Sequence, residues 1–308
     1  IAIPEMLRFG YAPSLATGTV AIGGTLGSLI PPSVLFILYG IFAEQSIARL
    51  FIAAIIPGVI SLLAYVLVIY FWVKIRPEVA PQPDETISRE ARMKSLLDCW
   101  AILALFVVVI GGIYIGLFTP TEAAGVGASA TLILGLLLGR LKTDGVLRAL
   151  KESVFQTSMI FVIAIGGKLF VNFIALTGLA NEVTFWIEST DASMFVVIGL
   201  IVVMYIFLGM FLYPIGIILL SLPLTIPIVE AYGLSLIWFG VVVVKLLEIG
   251  LVTPPIGLNV FVIKSIVDKT IKLESIFKGV GLFLVAEVFV LALIICVPAV
   301  SLLLTAFV

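Results

Sequence analysis

Apolar segments long enough to cross a membrane follow one another along most of this chain. A helix needs about 20 predominantly apolar residues to span the roughly 30 Å hydrocarbon core of a bilayer. The pattern predicts full spans at 19–42, 50–73, 99–118, 120–139, 153–177, 239–263 and 279–305. One long polar stretch, 74–98, separates two groups of spans, and its prolines and mixed charges predict an aqueous linker.

Two of the predicted spans contain adjacent prolines, in GSLIPPS (27–33) and GLVTPPIG (250–257). A proline inside a helix removes a backbone donor and clashes with the preceding turn, at a cost of about 3 kcal/mol or more. Such a break is tolerated in a membrane only where protein or a water-lined cavity satisfies the backbone. A single Pro-Pro pair would favour a simple kink. Two matched pairs favour two broken helices whose gaps line a binding site.

The two breaks belong to an internal repeat. When 3–35 is aligned without a gap on 226–258, eight of the 33 positions are identical, and both prolines of each pair are among them. An even number of predicted spans separates the copies, so the copies run in opposite directions through the membrane. Inverted repeats are typical of secondary transporters with a site near the midplane.

The repeat also bears on residues 193–231, two apolar runs joined by a short motif. Two full crossings remain compatible with the charge pattern, but the repeat favours one re-entrant hairpin with its tip at 209–214. In the first copy, only the second arm of the equivalent hairpin is present, ending near Gly10. We therefore expect that an N-terminal part of the protein is missing from this chain.

Composition and charge support a membrane protein and exclude several activities. The chain is 62% hydrophobic and 11% charged, against about 45–50% and 25% in soluble domains. With the 74–98 linker in the cytoplasm, 14 of the 17 Lys and Arg residues fall on that side, as the positive-inside rule requires. The absence of histidine and of a P-loop motif argues against His-based catalysis and ATP hydrolysis. No basic block suggests a nucleic-acid partner.

Four motifs carry a resemblance that covers essentially the whole chain. They are GGTLGSLIPPS (23–33), FTPTEAAGVGA (118–128), LGMFLYPIGIILLSLPLTIPI (208–228) and EIGLVTPPIGLNVFV (248–262). With these motifs in this order, the chain resembles the large membrane subunit of tripartite ATP-independent periplasmic (TRAP) transporters.

The resemblance implies an all-α integral membrane protein, specifically an inverted-repeat elevator-type transporter with a re-entrant hairpin and two Pro-Pro-broken helices. It implies sodium-coupled uptake of an organic acid across the inner membrane of a bacterial or archaeal cell, with sodium ions as coupling ions and no other cofactor. The implied partners are a small four-helix membrane subunit, a periplasmic substrate-binding protein and membrane lipid. A sodium/carboxylate symporter with the same inverted plan and no binding protein is the alternative.

The expected domains follow from the same resemblance. The transport domain comprises 1–49, with a hairpin arm and the first broken helix, and 193–263, with the second hairpin and second broken helix. Mainly scaffold helices occupy 50–177, an amphipathic outer arm helix occupies 178–192, and a cytoplasmic loop with the last scaffold helix occupies 264–308.

The resemblance also assigns site residues near the two breaks. The expected sodium ligands are Gly23, Gly24, Thr25 and Gly27 at the first break, and Gly209, Tyr213, Gly250, Val252 and Thr253 at the second. The expected substrate-binding residues are Thr25, Ser28, Thr253, Pro254 and Asn259.

Three polar or aromatic residues within apolar segments receive structural interpretations. Lys245 and Glu248 are three positions apart on one helical face, which favours an ion pair over a proton relay. Trp238, near the predicted outer end of a span, is interpreted as an interfacial belt residue.

Overall fold

The computed structural model describes residues 2–81, 88–90, 93, 97, 99–179, 182–183, 185, 189–190, 192–268 and 270–307. Over these residues the regular secondary structure is entirely helical, as predicted. The α-helices are α1 Ala2–Arg8, α2 Pro13–Leu29, α3 Val34–Phe42, α4 Ile47–Ile75, α5 Trp100–Tyr114, α6 Pro120–Leu137, α7 Thr143–Thr177, α8 Met194–Phe211, α9 Pro214–Ala231, α10 Leu236–Val252, α11 Leu258–Ile266, α12 Leu273–Cys296 and α13 Ala299–Leu302. Short 3-10 turns occupy Pro77–Val79 and Leu304–Phe307.

Both predicted broken helices are confirmed. The first consists of α2 and α3 with a gap at 30–33, and the second consists of α10 and α11 with a gap at 253–257. Helices α2 and α10 have 17 residues each, and α3 and α11 have nine each. Both Pro-Pro peptide bonds lie in the gaps and are cis. The alignment of the two copies places both ends of α2 on both ends of α10, so the sequence repeat is also a structural repeat.

The segments that precede the broken helices end in the same way. Gly10 and Gly233 both have a positive φ, 79° and 66°, a conformation that glycine adopts without steric cost. Their N–H groups donate to the backbone oxygens of Leu7 and Glu230, which are also equivalent positions in the alignment. A matching helix C-terminus in each copy shows that the repeat begins before the broken helices themselves.

The segment predicted to be a hairpin forms two apolar helices of 18 residues, α8 and α9. They meet at a two-residue connection, Leu212 and Tyr213, inside the predicted tip. Each arm is long and apolar enough to cross a bilayer. The tip of this helix pair contacts the second broken helix.

The chain divides into two compact units, 1–82 with 165–308, and 83–164. The larger unit contains both broken helices and the hairpin. Within it, α4 and α12 pack directly against α2 and α10. The smaller unit contains α5, α6 and the first part of α7. In this unit α6 begins with a capping box, in which Thr119 and Glu122 each accept a hydrogen bond from the other's backbone N–H.

Several boundaries differ from those predicted. Helix α5 has only 15 residues, while α7 has 35 because it begins at Thr143, well before the predicted span. Much of the 74–98 linker and of the 178–192 arm lies outside the described residues. The domain assignments, including the scaffold role of α4 and α12, stay predictions.

The interpretation of Trp238 was wrong. Its side chain is only 2% exposed, and its indole N–H donates to the backbone oxygen of Ile294 at 2.8 Å. A helix that packs on several neighbouring helices leaves no face for an interfacial ring, and the sequence of α10 alone does not show how completely it is enclosed.

Candidate functional site

The gap in the first broken helix is held by a serine. Ser33 caps the N-terminus of α3, accepting a hydrogen bond from the Phe36 N–H at 3.4 Å, and its hydroxyl donates to the backbone oxygen of Ser28. The backbone N–H of Ile30 donates to Leu26 at 2.8 Å. One side chain therefore satisfies a carbonyl at the end of α2 and an amide at the start of α3, which a helix end otherwise leaves unpaired.

The gap in the second broken helix is held by a threonine. The Thr253 hydroxyl donates to the backbone oxygen of Ile249 at 2.6 Å, and its N–H donates to Gly250 at 3.2 Å. Gly257 begins α11 in the left-handed conformation with φ 59°. Because the single hydroxyl proton of Thr253 is used by Ile249, this hydroxyl can offer only lone pairs to a further ligand.

The two broken helices pack against each other: α10 contacts both α2 and α3, and α11 contacts α2. Near one end, the Tyr39 hydroxyl of α3 donates to the Leu236 backbone oxygen at the start of α10, at 2.7 Å. Near the other end, Asn259 in the first turn of α11 approaches α2, where a Cβ added to Gly24 would lie 3.9 Å from the Asn259 amide nitrogen. Asn259 therefore connects the second break to the glycines that precede the first.

The hairpin tip lies directly on the second break. A Cβ added to Gly250 would lie 2.6 Å from the Gly209 Cα, and a Cβ added to Gly209 would lie 2.9 Å from the Gly250 Cα. The backbones of α8 and α10 therefore touch one turn before the gap. Tyr213 is 60% exposed and begins α9 without capping it through its side chain. The structure thus brings Gly209, Gly250 and Thr253 together and leaves the Tyr213 ring outside this contact.

The residues expected at the first sodium site lie on two faces of α2. Gly23, Gly24 and Gly27 are exposed, and a Cβ at Gly23 or Gly27 would meet no described atom within 4 Å. Thr25 is 1% exposed, and its hydroxyl donates to the Ile22 backbone oxygen at 2.7 Å. Two steps along a helix correspond to a rotation of about 200°, so Thr25 points away from the glycine face.

A buried charge cluster lies within the larger unit. The Lys245 ammonium contacts the Glu248 carboxylate at 3.1 Å, which confirms the predicted ion pair. The same ammonium donates to the Ser61 hydroxyl at 2.8 Å and forms a second ion pair with Glu287 of α12. The Lys245 side chain is fully buried. The cluster therefore joins α10 to α4 and α12 through groups that have no access to water.

Only the ion pair with Glu248 was predicted from the sequence. Glu287 and Ser61 were not predicted, because they come from helices far from Lys245 in sequence. A signal for Glu287 was present, because it is the one charged residue in the apolar run 279–296. An ionisable residue at such a position requires a partner or a function.

The family of the chain follows from comparison with known proteins. A family model described as "Tripartite ATP-independent periplasmic transporter, DctM component" matches residues 1–300. The chain belongs to this family. The sequence-based recognition of a TRAP large membrane subunit is confirmed, and so are its consequences that the protein is a transport protein rather than an enzyme and a multi-pass protein of the inner membrane.

Relatives of the TRAP large subunit support this assignment over nearly its whole length. The chain is 32% identical over 303 residues to the C4-dicarboxylate TRAP transporter large permease protein of Pseudomonas aeruginosa, covering 98% of this chain and 70% of that protein. It is 33% identical over 305 residues to the sialic acid TRAP transporter large permease protein of Vibrio cholerae, covering 99% and 70%. It is 30% identical over 301 residues to the isethionate TRAP transporter permease protein of Oleidesulfovibrio alaskensis, covering 97% and 47%.

Proposed function

We propose that this TRAP large subunit couples sodium entry to the uptake of an organic acid across the inner membrane. The observation that carries the proposal is the backbone contact between Gly209 at the hairpin tip and Gly250 at the second break, one turn before Thr253. If the hairpin tip and the helix gap share one set of ligands, both respond when an ion binds.

The second break has the chemistry of a sodium site. The C-terminal end of α10 carries the negative end of its helix dipole, and transporters use the backbone carbonyls of such unwound helix ends to coordinate sodium. The Thr253 hydroxyl presents lone pairs there because its proton is donated to Ile249. Sodium ligands in this proposal are the oxygens of Gly209, Gly250, Val252 and Thr253, with Tyr213 contributing through its backbone. The open face of α2 with Gly23, Gly24 and Gly27 forms the other sodium site.

The substrate site lies between the two breaks. Asn259 offers an amide donor close to Gly24, and the N-terminus of α11 favours a negative group. In this proposal Ser28, Pro254 and Thr253 complete the site, whereas Thr25 lies on the buried face of α2. The relatives are named for the transport of C4-dicarboxylate, sialic acid and isethionate. The first two are carboxylates and the third is a sulfonate, and together they support an organic acid substrate.

The proposal includes two partners. The chain would work with a small four-helix membrane subunit and would receive its substrate from a periplasmic binding protein. The description of the family as a tripartite periplasmic transporter supports two further components. If the protein took up its substrate without a binding protein, a symporter with the same inverted plan would be favoured instead.

Replacing Thr253 with valine is expected to raise the sodium concentration for half-maximal uptake by roughly ten- to a hundredfold. Valine keeps the shape of the side chain but leaves the cation one oxygen short, a loss of roughly 1.5–3 kcal/mol for a contact to a charge. By linkage, apparent substrate affinity falls at limiting sodium and recovers at excess sodium. The measurement is uptake into proteoliposomes against sodium concentration, with the binding protein saturating.

Thr131→Val is the matched control for Thr253→Val. The Thr131 hydroxyl makes the same kind of hydrogen bond, to the backbone oxygen of Gly127 in the preceding turn at 2.7 Å, but it is exposed on α6. We expect no change in half-saturating sodium for this control. An equal sodium dependence of Thr253→Val and wild type would show that the Thr253 hydroxyl is not a ligand.

A further inference from the structure

A long groove runs between helices α4 and α12 on the surface of the larger unit. It has a volume of about 920 Å³ and fifteen lining residues, of which eleven are apolar. Ligand sites in proteins typically measure roughly 300–1,000 Å³. The groove therefore has the size of a binding site, and its walls have the polarity of a site for a largely apolar molecule.

The polar residues of the groove are gathered at one end. Arg76 follows the last turn of α4, and Ser275 and Lys278 lie in the first two turns of α12. Ser14, from the first turn of α2, completes this end. The opposite end is formed by small and apolar residues such as Ala64 and Leu293. The groove is therefore amphipathic along its length, with a cationic mouth and an apolar channel.

Among the described residues, none supplies a counter-charge to the cationic mouth. No acidic residue lines the groove, and neither Arg76 nor Lys278 forms a salt bridge within the described part of the chain. Lys74, two positions before Arg76, is different because its ammonium lies over the Tyr70 ring, 5.7 Å from the centroid. Two unpaired cations with two hydroxyls beside them are complementary to one phosphate group.

The dimensions of the groove match one leaflet of a bilayer. From Arg76 to Ala64 the α4 wall is about 18 Å long, and from Lys278 to Leu293 the α12 wall is about 22 Å long, at about 1.5 Å per residue. Half of the hydrocarbon core is roughly 15 Å thick. The positive-inside pattern places the basic mouth at the cytoplasmic surface, where anionic lipids are enriched and basic pockets between helices bind their headgroups.

We propose that this groove binds an anionic phospholipid of the cytoplasmic leaflet. The phosphate of the headgroup lies between Arg76 and Lys278, with Ser14 and Ser275 as hydroxyl partners. One acyl chain runs along the apolar channel past Leu67, Phe71 and Ala286. The lipid would lie along the groove between α4 and α12, both of which pack on the broken helices, so its presence would stabilise the unit that contains the candidate transport site.

Native mass spectrometry of the purified full-length protein tests this proposal. Phosphatidylglycerol is titrated against phosphatidylcholine with the same acyl chains, and glycerol phosphate is added to separate headgroup binding from lipid binding. The double variant Arg76→Gln/Lys278→Gln should bind phosphatidylglycerol about 30-fold more weakly, because each cation near the headgroup contributes on the order of 1 kcal/mol. Phosphatidylcholine carries the same phosphate beside a choline cation, so it should bind more weakly than phosphatidylglycerol and lose less affinity in the double variant. Glycerol phosphate should not displace the lipid.

Two further variants make the test specific to the groove. Lys74→Gln removes a neighbouring cation that does not line the groove, and it should bind phosphatidylglycerol as wild type does. Ala286→Trp fills the channel while keeping both cations, and it should abolish tight binding. The proposal would be overturned if the protein bound the two lipids with equal affinity. It would also be overturned if the double variant, or the variant Ala286→Trp, bound phosphatidylglycerol as wild type does. Failure of the wild-type protein to retain any phosphatidylglycerol would overturn it as well.

Discussion

Replacing Lys245 with methionine is expected to lower the stability of the protein by about 3–5 kcal/mol, because the substitution removes the only cation that contacts the buried carboxylates of Glu248 and Glu287 in the described structure. Methionine fills a similar volume, so the loss comes from charge rather than from a cavity. The measurement is the thermal unfolding of purified protein in detergent, together with the monodisperse fraction in size-exclusion chromatography.

Two control variants separate the loss of stability that comes from charge from the loss that any substitution would cause. Lys168→Met removes an exposed lysine from α7 and should leave the unfolding temperature unchanged. The triple variant Lys245→Met/Glu248→Gln/Glu287→Gln neutralises the whole cluster and should recover much of the lost stability, since a neutral buried set can replace an ionic one at little cost. If Lys245→Met unfolds at the same temperature as Lys168→Met, the buried cluster contributes nothing to stability.

Replacing Gly250 with alanine is expected to reduce uptake by about a hundredfold. The added methyl group would lie 2.6 Å from the Gly209 Cα and 2.9 Å from the Gly209 carbonyl carbon. Both contacts are to backbone, so the hairpin tip must move away from α10. A displacement of about 1 Å in a site can cost on the order of a hundredfold in rate. Initial rates of uptake into proteoliposomes, normalised to the amount of folded protein, measure the effect.

The matched control for this steric effect is Gly199→Ala. Gly199 lies on the same hairpin helix as Gly209, but a Cβ there would meet no described atom within 4 Å. Its uptake and half-saturating sodium should equal those of wild type. Wild-type uptake by Gly250→Ala would show that close packing of the hairpin tip on the second break is not needed for transport.

Much of the architecture could be predicted from sequence because its main signals are local. A proline pair inside an apolar run breaks a helix wherever it occurs, and one ungapped alignment relates the two copies. The bounds of α2 and α10 are equivalent in that alignment at both ends. The helix break at a proline pair and the helix end at Gly10 and Gly233 each depend on a few neighbouring residues. The sequence pattern and the structure therefore agree at these positions.

The contacts between distant helices could not be predicted in the same way. The pairing of Gly209 with Gly250 depends on how α8 crosses α10, and the ion pair of Lys245 with Glu287 depends on how α12 packs. The orientation of the Thr25 side chain could be predicted only in part. Helical geometry alone separates it from the face of Gly23 and Gly27, but only the structure shows which of these faces is buried.

The most direct test of the proposed mechanism is uptake of a radiolabelled organic acid into proteoliposomes under an imposed inward sodium gradient. The vesicles contain the full-length large subunit with the small membrane subunit, and the periplasmic binding protein loaded with its substrate is added outside. We expect accumulation above the external concentration with sodium outside, and none when potassium replaces sodium or the binding protein is omitted. Equal accumulation in potassium, driven by a proton gradient alone, would contradict sodium coupling at the two helix breaks.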